Sequence, residues 1–257
     1  MSLLASKSPW YAAGKSIGLL FFFMLTGLFF DSYFFEKISD HGQLYANAVM
    51  FIVTGIIFYQ VTKRNKEQMI SAILIAIVGE YLFSIALGMY TYKFENVPHY
   101  IPPGHAVVYV AVLYFSKASS IIKHKTNLEK LFTYFIFCYA LVFLILKNDV
   151  FGFVMTIATL FILRNKPRER LFYLTMYLAV AFLEIVGTTY QCWKWPPIAW
   201  NTFEFLPSYN PPSGISFFYF GLDLGSLWLY KQRHKIAWNR MKNIRKIRAQ
   251  QLNFTTN

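Results

Sequence analysis

Apolar residues fall in eight long blocks, not in alternation. The runs cover 17–34, 44–62, 70–92, 105–122, 131–146, 150–163, 171–192 and 215–230. About 17–25 apolar residues cross ~30 Å of hydrocarbon at 1.5 Å per residue. A backbone in lipid must satisfy its own hydrogen bonds, so blocks of this length predict helices. A β-barrel would instead alternate polar and apolar residues in ~10-residue strands. The fifth and sixth runs are short, with only Lys147-Asn148-Asp149 between them. The pattern predicts an all-α integral membrane protein of about eight transmembrane helices.

The polar positions orient these helices. With the N-terminus cytoplasmic, 21 of the 25 basic residues fall in cytoplasmic segments, while Lys37, Lys93, Lys147 and Lys194 fall outside. Such asymmetry is the usual topology signal, and it places both termini inside. The first run carries no A-x-A-like cleavage site and is expected to be retained. Compact size and the lack of trafficking signals suggest a bacterial inner membrane.

Composition agrees. The chain has 257 residues, 56% hydrophobic and only 14% charged, against about 25% charged in a typical soluble domain. That leaves too little polar surface for a water-facing globule. The net charge of +13 is mostly topology, so no nucleic acid is expected as a partner. Cys138 and Cys192 give no disulfide framework and no CxxC site. The basic tail 231–257 intersperses Ile236, Trp238, Met241, Ile244, Ile247 and Leu252, as an amphipathic helix on an anionic leaflet would.

One loop sequence recurs. Phe94 to Gly104 matches Phe203 to Ser213 at six of eleven positions with a constant offset of 109. The shared pattern is F-E-x-[VL]-P-x-Y-x-P-P. Each copy joins a third helix to a fourth, so the chain reads as two parallel four-helix repeats, related by an axis along the membrane normal. The division is 1–127 for the first repeat, 128–230 for the second and 231–257 for the tail. Proline fixes φ and extends the residue before it. Each copy therefore makes a stiff outer cap, and Glu95, Pro98, His99, Tyr100, His105, Glu204, Pro207 and Tyr209 are candidates for an outer lid.

Few acids lie inside the spans. Glu80, Glu184 and Asp223 lie deep in helices three, seven and eight, and Asp31 lies near the outer end of helix one. A charge at the bilayer centre costs at least ~2.5 kcal/mol, which makes such residues functional candidates. No Lys or Arg lies mid-span to pair with them, so tyrosines (Tyr81, Tyr90, Tyr92, Tyr109, Tyr190) are the available partners. Candidate ligand- or proton-binding residues are Glu80, Glu184, Asp223, Tyr90, Tyr92, Tyr190 and Trp193. At an offset of 109, Glu80 maps to Thr189 and not to Glu184. Glu95, His99 and His105 suggest a metal, but Pro98, Pro102 and Pro103 break any helix that would gather them. The second copy carries Ser208 and Gly214 at the histidine positions, so no metal is expected. No H-E-x-x-H, P-loop, nucleophile elbow or G-x-G-x-x-G is present.

Aromatic helices, a few carboxyls and an outer lid make a mostly apolar pocket with polar anchors. One expectation is binding or transport of a small amphiphilic or cationic ligand, coupled to protons through Glu80 and Glu184. A second is a lipid-phase enzyme. Glu80, then Gly88-Met89-Tyr90-Thr91-Tyr92 and Val97-Pro98, resembles the E…G-x-Y-x-Y…V-P pattern of membrane carotenoid hydratases and related carotenoid-biosynthesis proteins. The resemblance covers roughly 20 residues, and Ile101-Pro102-Pro103-Gly104-His105 departs from it. It implies acid catalysis on an isoprenoid, with aromatic walls stabilising a carbocation. A third expectation is an accessory subunit of a larger membrane complex, its carboxyls locking helices together. The lipid bilayer is the expected partner in every case; the sequence names no cofactor.

Overall fold

The computed structural model describes residues 9–236, 238–240 and 243–244. It is mostly helical, and each apolar run forms a helix. In chain order these are α1 (Pro9–Phe30), α2 (Tyr33–Glu36), α3 (Gly42–Gln60), α4 (Lys63–Glu80), α5 (Ile101–Lys117), α6 (Ser119–Lys123), α7 (Lys125–Lys147), α8 (Val150–Arg164), α9 (Arg170–Thr189) and α10 (Ser216–Arg233). Four helical stretches are long and apolar enough to cross a membrane: Gly42–Gln60, Lys63–Ala86, Lys125–Lys147 and Arg170–Thr189. Ile17–Phe30 and Val150–Arg164 are apolar but shorter.

The short fifth and sixth runs are two separate helices. Asn148 takes the left-handed conformation that ends α7. The Asp149 carboxylate then accepts from Gly152 N at 3.1 Å and caps α8. Prolines 102 and 103 sit in the first turn of α5, where a missing N–H breaks no helical bond. Ser32 and Thr62 cap α2 and α4 in the same manner as Asp149.

Three apolar runs overshoot their helices. Helix α1 stops at Phe30, four residues before its run ends. Helix α9 stops at Thr189. The third run leaves α4 through a π-helical stretch, Tyr81–Ala86, and Gly88 at φ +58° reverses the chain. Hydropathy alone cannot mark these ends, because the residues beyond them are mostly uncharged. Two of the three overshoots lead into small strands that the all-α reading did not contain. Strand β1 (Thr91–Tyr92) pairs antiparallel with β2 (Trp193–Lys194), and β3 (Ile198–Ala199) pairs with β4 (Phe203–Pro207).

Most of α9 is buried, whereas α3 and α7 keep most of their surface outward. Around α9 lie α1, α5, α7 and α10, with α4 packed on α5 and α10. Two buried aspartates tie the recurring loops to neighbouring helix ends. The Tyr100 hydroxyl donates to Asp31 Oδ2 at 2.8 Å, and Lys93 Nζ donates to the Asp31 carbonyl at 2.8 Å. Burial pushes the Tyr100 phenol well above its usual value, so it stays a donor. Asp149 accepts from Tyr209 N at 3.1 Å and Ser213 N at 2.7 Å. The tail helix predicted for 231–257 lies largely outside the described residues.

Candidate functional site

Glu80 is the last residue of α4 and is 6% exposed. The π-helical stretch begins at the next residue. Such widened turns are rare and are frequent at functional sites. Here the turn and the Gly88 reversal carry β1 back over the helix end. The Tyr90 and Tyr92 hydroxyls then donate to Glu80 Oε2 at 2.5 and 2.6 Å. His105, on the first turns of α5, places Nε2 2.8 Å from Glu80 Oε1.

Glu184 lies near the C-terminal end of α9 and is 4% exposed. Gln191, at φ +60°, turns the chain into β2. Trp193 Nε1 and Trp195 Nε1 donate to Glu184 Oε2 at 2.8 and 3.0 Å. Tyr219, in the first turn of α10, donates to Oε1 at 3.2 Å. Gly187 makes this possible, because a Cβ there would overlap the Trp193 ring.

The two carboxyl clusters share one aromatic layer. Tyr90 lies against Trp195 with ring centroids 4.6 Å apart, and Tyr92 against Trp193 at 6.1 Å. The His105 and Tyr219 rings lie 4.8 Å apart at 35°. The β1–β2 pair runs through the middle of this layer. Glu80 and Glu184 line a common cavity of about 330 Å³. Its remaining wall is apolar, from α1, α3, α4, α5 and α10, with Met24, Met50 and Phe218 among the large side chains. Val78 and Leu82 also line it, though they are 67% and 45% exposed. The cavity therefore opens sideways on the apolar surface of the bundle.

The structure thus gathers Glu80, Glu184, Tyr90, Tyr92 and Trp193 from the sequence candidates. Tyr190 does not join them, as its ring packs on Phe29 and Phe34. Tyr81 is 58% exposed, away from both acids. Asp223 lies on α10, with its side chain outside the described residues. Of the lid residues, Tyr100 and His105 line the cavity. Glu95, His99 and Glu204 are exposed, Pro98 is buried, and Pro207 and Tyr209 are half-buried. His105 is a partner of Glu80, a role the sequence did not suggest. Trp195 and Tyr219 were missed as well. A signal for them existed: each acid is followed by an aromatic-x-aromatic triplet, 10 and 12 residues on for Glu80 and 9 and 11 for Glu184. Among the described residues no group of three or more His, Cys, Asp or Glu could hold a metal.

No family model matches the chain, and neither a curated protein nor a solved structure matches it. The likeness of residues 80–98 to carotenoid hydratases rests on its motif residues alone.

Proposed function

We propose that the protein is an eight-span inner-membrane protein that binds, and carries or releases, a small amphiphilic ligand, neutral or cationic. The ligand's apolar part occupies the cavity, and its polar end meets Glu80, Glu184 and their rings, with proton exchange at Glu80. One observation carries this reading: an apolar cavity open on the lipid-facing side ends at two buried carboxyls. Electron-rich faces of Tyr90, Trp195 and Tyr219 surround that end, and such faces attract cations.

Supporting the four-plus-four arrangement, with cytoplasmic termini, are the recurring loop, the basic-residue asymmetry and the matching partners of the two acids. Each acid takes one ring from the strand that follows it, one from a residue flanking that strand and one from the start of the next long helix.

The test is extraction of the purified protein with organic solvent and mass spectrometry of the extract. A bound amphiphile in near-stoichiometric amount is expected, and it should be lost in Ala76→Phe, which fills the cavity. An empty extract, from protein that also fails to bind dansyl-labelled fatty alcohol or fatty amine, overturns the reading. A preference for the amine or the alcohol tells a cationic ligand from a neutral one.

A second reading is acid catalysis on an isoprenoid. The observation favouring it is His105 on the second oxygen of Glu80, which couples the acid to a group able to return its proton. Under that reading Glu80→Gln retains the bound lipid and stops its conversion.

A further inference from the structure

A second cavity, of about 460 Å³, lies at the opposite end of the same helices. Arg64, Lys117, Lys125 and Arg168 line it, against a single carboxylate, Glu169. Lys125 is engaged, with Nζ donating to the Pro167 carbonyl at 2.7 Å and lying 3.5 Å from Glu129. Among the described residues Arg64, Lys117 and Arg168 make no ion pair. Residues of the first turns of α4, α7 and α9 also line this space. Three helix N-termini thus add their partial positive charge to that of the side chains. Tyr109, Phe172 and Trp238 give the cavity an apolar and aromatic wall.

We infer that this cavity is a binding site for a phosphate-bearing anion. Three cations without an ion pair, Arg64 among them with its Cζ 5.1 Å from the centroid of the Tyr230 ring, and three helix N-termini around one concave space supply the charge that a phosphate needs. Arginine adds planar, two-pronged recognition of its oxygens. The aromatic wall and the position at the basic ends of the helices favour a lipid headgroup over a soluble phosphate. The site shares α4, α5, α9 and α10 with the carboxyl-lined cavity but none of its lining residues. It stands whatever that cavity binds.

The experiment titrates the full-length protein, purified in a neutral detergent, with three probes: dioleoyl phosphatidylglycerol, dioleoyl phosphatidylcholine and inorganic pyrophosphate. Binding is read by native mass spectrometry and by the melting temperature. Phosphatidylglycerol should bind and raise the melting temperature, and phosphatidylcholine should not. Each basic residue near an anionic lipid surface is worth about 1 kcal/mol, or roughly fivefold, so R64Q/K117Q/R168Q should weaken binding by roughly 100-fold. The control K63Q/K123Q/K130Q removes the same charge from neighbouring segments without touching the cavity, and should change affinity far less. Pyrophosphate binding that the first triple variant abolishes, with no response to phosphatidylglycerol, assigns the site to a soluble phosphate. Equal losses in the two triple variants show general surface charge, and overturn the proposal; so does failure of every probe to bind the wild type. If the triple variant does not fold, R168Q alone, on the α8–α9 loop, carries the same comparison with an expected loss of about fivefold.

Discussion

The Glu80 and Glu184 clusters have the same plan and different chemistry. Each acid accepts two bonds from an aromatic-x-aromatic segment and faces one ring from a following helix. An indole N–H can only donate, whereas a phenol can donate or accept and an imidazole can do either. Trp193 and Trp195 therefore require an acceptor at Glu184 Oε2. Tyr90, Tyr92 and His105 can reorganise around Glu80 whether or not it carries a proton. In one cluster Glu184 Oε2 is a fixed acceptor that holds β2 to α9, with only Oε1 facing a phenol. The other has the partners needed to exchange a proton beside the cavity. Two similar geometries thus differ in the chemistry open to them because their donors differ in versatility.

The most severe test of this difference is Glu184→Leu. It orphans two buried indole donors at about 1–3 kcal/mol each, so a loss of about 2–6 kcal/mol is expected in denaturant melts in detergent. Glu80→Leu should cost clearly less, because its hydroxyl partners can turn to other acceptors; equal losses would erase the distinction. Next is Gly187→Ala, which pushes a methyl into the Trp193 ring. Overpacking of this kind costs about 1–3 kcal/mol, and the Trp fluorescence spectrum should shift with it. Removing single donors is milder: Trp195→Phe should cost about 1 kcal/mol and Tyr92→Phe somewhat less. Smallest in stability is Glu80→Gln, expected within about 0.5 kcal/mol of wild type. In that variant the amide oxygen still accepts from both tyrosines, while proton-dependent ligand binding or conversion should be lost. Wild-type activity in Glu80→Gln would remove proton exchange from the site.

Long-range hydrophobic pattern made the helices legible, since a run of apolar residues has one reading in lipid. It could not place their ends. Residues 87–92 and 190–192 carry no charge and no proline to mark a helix end, yet Gly88 and Gln191 turn the chain there. The deep acids were equally visible, because burying Glu80 and Glu184 is expensive wherever they point. Their partners were hidden for two reasons. His105 and Tyr219 are 25 and 35 residues from the acids they meet, distances with no periodic signal. A fixed offset of 109 also pairs Glu80 with Thr189 and His105 with Gly214, which hides the matching roles of Glu184 and Tyr219. The proline-rich loops were clear as stiff segments, but their attachment to Asp31 and Asp149 depends on contacts across the bundle that no local pattern encodes.

The backbone pairing of β1 with β2 joins the clusters, yet no bond to either acid crosses it. Among the described residues the hydrogen-bond partners of Glu80 lie between residues 90 and 105, and those of Glu184 between 193 and 219. During synthesis the first acid can therefore be neutralised or bonded before α7 has left the ribosome. The second meets its own indoles and phenol in the same way. Neither buried carboxyl has to wait in lipid for a distant segment to arrive. The two-residue ladder can then form last, as two already satisfied bodies dock.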